Sequence, residues 1–226
     1  MTPITNLDLT GFTEREADVW TDEHGLVLSL HFFGLVPDLP ATLDDLDDLR
    51  RGLTRLTAEA GAGLIEAVPG EVDALPAVRQ LIKVRKSSGH GQVFLGSWTV
   101  PRATCSTVLK IQAAEQQMTG LREAVIADRV GPADYFRPHP YAPDLPRALP
   151  YHVADHEEWD AQFPDHPLTL VRAALRRITP TVTLHEQFKA LPPFGTPPVP
   201  PAPPAAPAPP AAPPAPASRR WFRRDR

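Results

Sequence analysis

The run His152-Val153-Ala154-Asp155-His156-Glu157-Glu158-Trp159-Asp160 is the densest group of metal-ligating side chains in the sequence. Two histidines at i and i+4 on a helix present both imidazoles on one face, as a zinc site needs. Asp160 extends that face, and His166 follows close behind. His152, His156, Asp160 and His166 are therefore the candidate metal ligands. The competing reading is an acidic surface helix whose Asp and Glu residues suit the positive end of the helix dipole. The order is also not His-Glu-x-x-His, because Glu157 follows the second histidine.

Three further carboxylates, Glu66, Glu115 and Glu123, stand among apolar neighbours. A pair of such groups serves acid/base chemistry, and solvent-facing strand positions explain them equally well. Cys105 is the one cysteine. A thiolate nucleophile needs a base or a helix N-terminus beside it, and none is evident, so Cys105 reads as a buried structural residue. The chain contains no G-x-S-x-G, no G-x-x-x-x-G-K-[ST] and no G-x-G-x-x-G. No catalytic residue is assigned from sequence, and no cofactor is implied.

The terminal Arg219-Arg220-Trp221-Phe222-Arg223-Arg224-Asp225-Arg226 has two arginine pairs bracketing two large aromatics. Arginine supplies attraction to anionic surfaces, and Trp and Phe add apolar contact. The expected occupant is an acidic, apolar groove on a partner protein. Weak, salt-sensitive contact with anionic lipid is the alternative, as are an inert end and attachment to the chain's own acidic surface.

The elements that must position these groups can be read from periodicity. Asp18-Val19-Trp20-Thr21 and Leu26–Phe33 flank a Gly-containing turn and predict a hairpin. Leu43, Leu46, Leu49, Leu53 and Leu56 form a helical stripe, predicting a helix over 42–60. Thr42 is its expected N-cap, with Asp44, Asp45, Asp47 and Asp48 in the first turns where the dipole favours anions. Those four aspartates read as dipole complementation in preference to a cation site. Segments 63–72, 77–86, 92–101 and 104–114 are strand-like and joined by short turns, which predicts an antiparallel meander. A helix over 118–129, capped by Thr119, follows.

The fold class is α+β: hairpin, helix, four-stranded meander, helix. Residues 1–130 form the expected α+β domain. Residues 131–191 form a Pro-rich seam and a helical appendage packing on it. Six prolines fall in 131–150, a short helix is expected over 152–162 and another over 167–177, and 182–188 is ambiguous between helix and strand.

Of the 226 residues, 29 are proline. Fourteen of those lie in Pro192–Ala217, a Pro/Ala tract with no apolar pattern. It is expected to be a disordered, polyproline-II-rich spacer. At about 3.1 Å per residue it reaches on the order of 80 Å before the basic-aromatic tip, residues 218–226. The chain carries a net charge of −4, and the tip alone carries +4, so residues 1–217 carry −8. An acidic body is a poor match for a nucleic-acid backbone, and no nucleic-acid partner is expected. No secretory pattern opens the sequence and no apolar run approaches a membrane span, so a cytoplasmic location is expected.

The element order over residues 15–130 resembles the fold shared by the PsbP photosystem subunit, the Ran-binding protein Mog1 and DcrB-type bacterial proteins. Gly63-Leu64-Ile65-Glu66, Ser97-Trp98-Thr99-Val100-Pro101 and Thr119-Gly120-Leu121-Arg122-Glu123-Ala124 resemble shared blocks of an uncharacterised actinobacterial protein family. The PsbP/Mog1-like resemblance implies binding, assembly or secretion-adaptor roles and transfers no catalytic residue. The resulting expectation is a non-enzymatic cytoplasmic adaptor whose α+β domain binds a partner protein and whose tail tethers the tip to a second surface. The alternatives are an enzyme, metal-dependent or not, using the His152–His166 segment, and a peripheral membrane protein held by the tail.

Overall fold

The computed structural model describes residues 2–87, 89–116, 118–145 and 148–196. Among these, seven strands form one antiparallel sheet in the order β2-β3-β4-β8-β7-β6-β5. They are β2 (Thr13–Glu16), β3 (Val19–Thr21), β4 (Val27–Phe33), β5 (Gly63–Val72), β6 (Leu75–Arg85), β7 (Gln92–Pro101) and β8 (Ser106–Ala114). The meander β5–β8 follows the alternation in the sequence, and β4 closes onto β8 with Leu28 opposite Ile111 and Leu30 opposite Leu109. The architecture is thus α+β with an antiparallel sheet. A second, two-stranded ladder joins β1 (Ile4–Asn6) to β9 (Thr183–Leu184). Neither strand has the length to show a period, so periodicity does not reveal that these two segments pair.

Helix α1 (Leu46–Glu59) is shorter than its apolar stripe predicts. Asp45 is the N-cap, accepting from the Asp48 amide, and a turn from the Thr42 carbonyl to the Asp45 amide precedes it. Asp44 and Asp45 therefore lie outside the helix, while Asp47 and Asp48 sit in its first turn. Helix α2 (Leu121–Val130) is headed by Gly120, at φ 73°, and Thr119 does not cap it. The helix Pro132–Tyr135 (α3) follows directly.

The largest difference concerns the main core. The segment read from sequence as an appendage supplies the cover for one sheet face: α4 (Pro167–Ile178) lies over β7 and β8. Its Leu168, Val171, Leu175 and Ile178 are buried against Leu28, Leu81, Phe94, Leu109 and Ile111. On α2, Leu121 and Val125 are exposed, and Ile126 packs with Tyr135, Val153 and Ala154 instead. The physical reason is the stripe: α4 offers four large aliphatics on one face, whereas α2 offers one buried isoleucine. On the opposite sheet face α1 lays Leu49 and Leu53 on Leu64, Ala67 and Val78.

Residues 152–162 also differ from expectation. They form two 3-10 turns, Val153–Asp155 and Glu157–Gln162, broken at His156. The carbonyls of Ala154, Asp155 and His156 accept from the guanidinium groups of Arg122 and Arg172. A regular i to i+4 helix would need those same carbonyls for its own amides. After β9, a short helix Glu186–Lys189 (α5) ends the regular structure. Arg102 then straps the chain down by donating to the carbonyls of Lys189 and Leu191.

Gly96 of β7 is where α4 comes closest to the sheet. A Cβ there would lie 2.5 Å from Leu175 Cδ1, 2.6 Å from Val171 Cγ1 and 2.9 Å from Leu81 Cδ2. Gly96→Ala is expected to lose about 1–3 kcal/mol in urea unfolding, because α4 must lift off the sheet to admit the methyl group.

Candidate functional site

Five basic or acidic side chains that are seldom buried lie between β6, α2, the 3-10 turns and α4. Lys83 of β6 is only 1 % exposed. Its ammonium donates to both oxygens of Asp155, at 2.6 and 2.8 Å, and lies 3.0 Å from His152 Nε2. Arg122 of α2 donates to Asp160 Oδ1 at 2.8 Å and to Thr169 Oγ1 at 3.0 Å. Arg172 of α4 reaches the same Asp160 oxygen at 3.0 Å. An ionised group in such a place is costly unless paired and hydrogen-bonded. Here each cation has a carboxylate, and the guanidinium forks also take up carbonyls that the 3-10 turns leave free.

The four sequence-predicted ligands are divided by this network. His152 is held beside Lys83 and Asp155, and its ring stacks on Tyr135 at 5.0 Å. Asp160 belongs to Arg122 and Arg172. His156 is partly exposed, 3.6 Å from Glu158. His166 lies elsewhere, and it is the one that meets new partners. Cys105 is buried, and burial pushes its thiol up, away from a nucleophile's range. Glu66 pairs with Arg79 at 2.9 Å. The tip residues Arg219, Arg220, Trp221, Phe222, Arg223 and Arg224 lie outside the described residues.

His166 is the N-cap of α4: its Nδ1 accepts the Leu168 amide at 3.2 Å. That leaves Nε2 facing inward, buried and without a hydrogen-bond partner, 4.0 Å from Glu115 Oε1 and 4.0 Å from Glu123 Oε1. Glu115, just after β8, is fixed by two backbone amides: Gln92 donates to Oε2 and Gly120 to Oε1, both at 2.7 Å. Glu123 sits in the first turn of α2 with Oε2 also buried and unpartnered. Burial raises the Glu123 pKa, and the nearby Glu115 and Asp155 carboxylates add to the rise. Burial, helped by Arg122 and Arg172, pushes the His166 pKa down to about 3. A cavity of about 360 Å³ opens on Glu115 and His166, with walls from Leu121, Phe163, Pro164 and Leu170. Sequence reading flagged Glu115 and Glu123 as acids in apolar company, but the pairing with His166 depends on tertiary contact between three separate elements.

A different kind of site lies across the sheet. An apolar groove of about 630 Å³ runs between α1 and the loop 35–39, over Gln80, Ile82, Thr99 and Val108 of the sheet. Leu35 and Val36 on its wall are 73 % and 67 % exposed, and Phe33 is 49 % exposed. Asp38 lies on the rim.

The buried histidine beside Lys83 makes stability depend on pH. Burial, with Lys83 adding to it, lowers the His152 pKa to about 4, against an opposing pull from Asp155. Its folded pKa is below its unfolded one, so the unfolded chain binds more protons between about pH 4 and the ordinary histidine value of about 6.5. Stability therefore rises with pH through that window and is lost as pH falls. His166 acts in the same direction, and Glu123, whose folded pKa is raised, opposes it. Going from pH 7 to pH 5, His152 is expected to account for about 1–2 kcal/mol of lost unfolding free energy. His152→Gln should flatten the urea-unfolding profile by that amount, and an unchanged slope would contradict the assignment.

Among the described residues no helix is long and apolar enough to cross a membrane. No protein-family model, no curated protein and no solved structure matches the chain, so function rests on the sites themselves.

Proposed function

We propose that the chain is a non-enzymatic cytoplasmic binding or adaptor protein of PsbP/Mog1-like fold. Its groove between α1 and the sheet takes an apolar segment of a partner protein, flanked by lysine or arginine. The observation that carries this reading is the groove. Its walls hold Phe33, Leu35, Val36 and Leu56, aliphatic and aromatic side chains left open to water. Contiguous exposed apolar surface of this kind marks interaction sites. The basic flanks follow from charge. Asp38 stands on the rim, exposed Asp44, Asp45, Asp47 and Asp48 crowd the start of α1, and the body carries −8.

The Pro/Ala spacer and tip would serve the second contact. The described chain ends at Thr196, with Gly195 close against Thr42, near the start of α1. A spacer of the expected length carries the tip within reach of a neighbouring surface. Contact of the tip with anionic lipid belongs to the same proposal as a weaker alternative.

A second reading, an enzyme, draws on His166 with Glu115 and Glu123 beside a cavity. It keeps part of the His152–His166 segment but moves the chemistry to the segment's end.

A labelled peptide with an apolar centre and arginine flanks tests the main reading. The full chain should bind it, more weakly at high salt, and should bind an acid-flanked version at least tenfold less well. Leu35→Asp and Val36→Asp, both on exposed positions, should abolish binding while leaving the thermal melt unchanged. Tighter binding by a chain ending at Thr196 would identify the tail tip as a competitor for the same groove. Failure of both chains to bind, or equal binding by the aspartate variants, would overturn the proposal.

A further inference from the structure

We infer that Glu115, Glu123 and His166 form a binding site for one divalent transition-metal ion of the zinc or manganese class. The site is independent of the groove, so either proposal can fail without the other.

Three observations converge on it. The first is distance. One ligand atom from each residue lies within 4.8 Å of the others, and both histidine–carboxylate separations are 4.0 Å. An ion at the centre of a triangle with sides of 4.0–4.8 Å sits about 2.3–2.8 Å from each corner, a few tenths of an ångström from bonding distance. Small side-chain rotations close that gap.

The second is unmet bonding capacity. The His166 side chain is 9 % exposed, and its Nε2 has no hydrogen-bond partner although it points at two carboxylates. Glu123 Oε2 is likewise buried and unpartnered. Buried polar atoms are rarely left so, and a cation held by His166 Nε2 and by both Glu123 oxygens satisfies the two. It also removes the repulsion between Glu115 and Glu123, two acids brought together in a poorly solvated place.

The third is support around the ligands. The amides of Gln92 and Gly120 hold Glu115 in position, as outer-shell hydrogen bonds do for metal-binding carboxylates. Phe94 meets the His166 ring edge-to-face at 5.1 Å and restricts its rotation. The cavity of about 360 Å³ opens on Glu115 and His166, and a second of about 400 Å³ is lined by Glu115 and Glu123. Three protein ligands with adjoining space leave coordination positions open for water or an added ligand.

The donor set decides the class of ion. One imidazole nitrogen with two carboxylates suits zinc, manganese or iron(II), whereas magnesium and calcium take oxygen ligands. Binding also has a proton consequence. With Nδ1 accepting the Leu168 amide, the neutral ring carries its proton on Nε2. A metal at Nε2 requires that nitrogen's lone pair, so the ring proton moves to Nδ1 and the Leu168 amide loses its acceptor. The Leu168 amide is thus a built-in reporter of occupancy.

The test is titration of the full, untagged chain with zinc and with manganese, followed by calorimetry and by the amide spectrum. One site per chain is expected, with a thermal melt that rises on saturation, a shifted Leu168 amide, and no response to magnesium at the same concentration. His166→Asn keeps a residue suited to the N-cap but shortens its reach, and Glu123→Gln removes a charge without changing shape. Each should weaken binding at least tenfold, while His156→Ala, on the surface, should not. The proposal is overturned if zinc and manganese show no saturable binding, or if affinity and the Leu168 signal are the same in both site variants as in the wild type.

Discussion

The buried ion network of Lys83, Arg122 and Arg172 with Asp155 and Asp160 is the interaction on which the rest of the structure depends. Each cation comes from a different element: β6, α2 and α4. Both anions come from the two 3-10 turns between α3 and α4. Each cation is paired with a carboxylate, although Asp160 Oδ2, Arg172 Nε and His152 Nδ1 are buried without a hydrogen-bond partner, and such pairing is the condition under which buried charge is tolerable. Such a network contributes little net stability compared with an apolar core, but breaking one pair leaves an uncompensated charge inside. Its consequence here is positional. It sets the residues ahead of α4, so His166 arrives at the N-cap facing Glu115 and Glu123.

The sheet separates the molecule's two candidate sites. On one face α4 fills the sheet's apolar surface, and the charged network and the His166 cluster gather at its N-terminal end. On the other, α1 covers only the β5–β6 side through Leu49 and Leu53, and the groove is the uncovered remainder. One helix cannot cover a sheet this wide. The open apolar strip therefore follows from the element count as directly as the buried one does.

Much of the fold was legible in the sequence. The alternation over 63–72, 77–86, 92–101 and 104–114 maps onto β5–β8, and the leucine stripe onto α1. Period-2 and period-3.6 patterns are local, so they survive without knowledge of contacts. The register of β4 against β8, the β1–β9 ladder and the covering of the sheet by α4 are non-local, and no window of sequence contains them. The site was legible only in pieces. His152, His156 and Asp160 looked like one helical face because i, i+4 spacing presumes an α-helix. Arg122 and Arg172 draw the carbonyls away, and the spacing loses its meaning. Glu115 and Glu123 stood out as acids in apolar company, yet nothing in their spacing pointed to His166.

The account makes residues 152–178 part of the same cooperative unit as the sheet, through Gly96, the α4 stripe and the buried ion pairs. Native-state hydrogen exchange of the full chain measures this most directly. The amides of Leu170 to Ile178 in α4 should open with the same free energy, and the same denaturant dependence, as those of Phe94 to Thr99 in β7. Opening of α4 at markedly lower free energy, with the β7 amides still protected, would show an appended helix docked on a domain that stands without it, and would contradict the account.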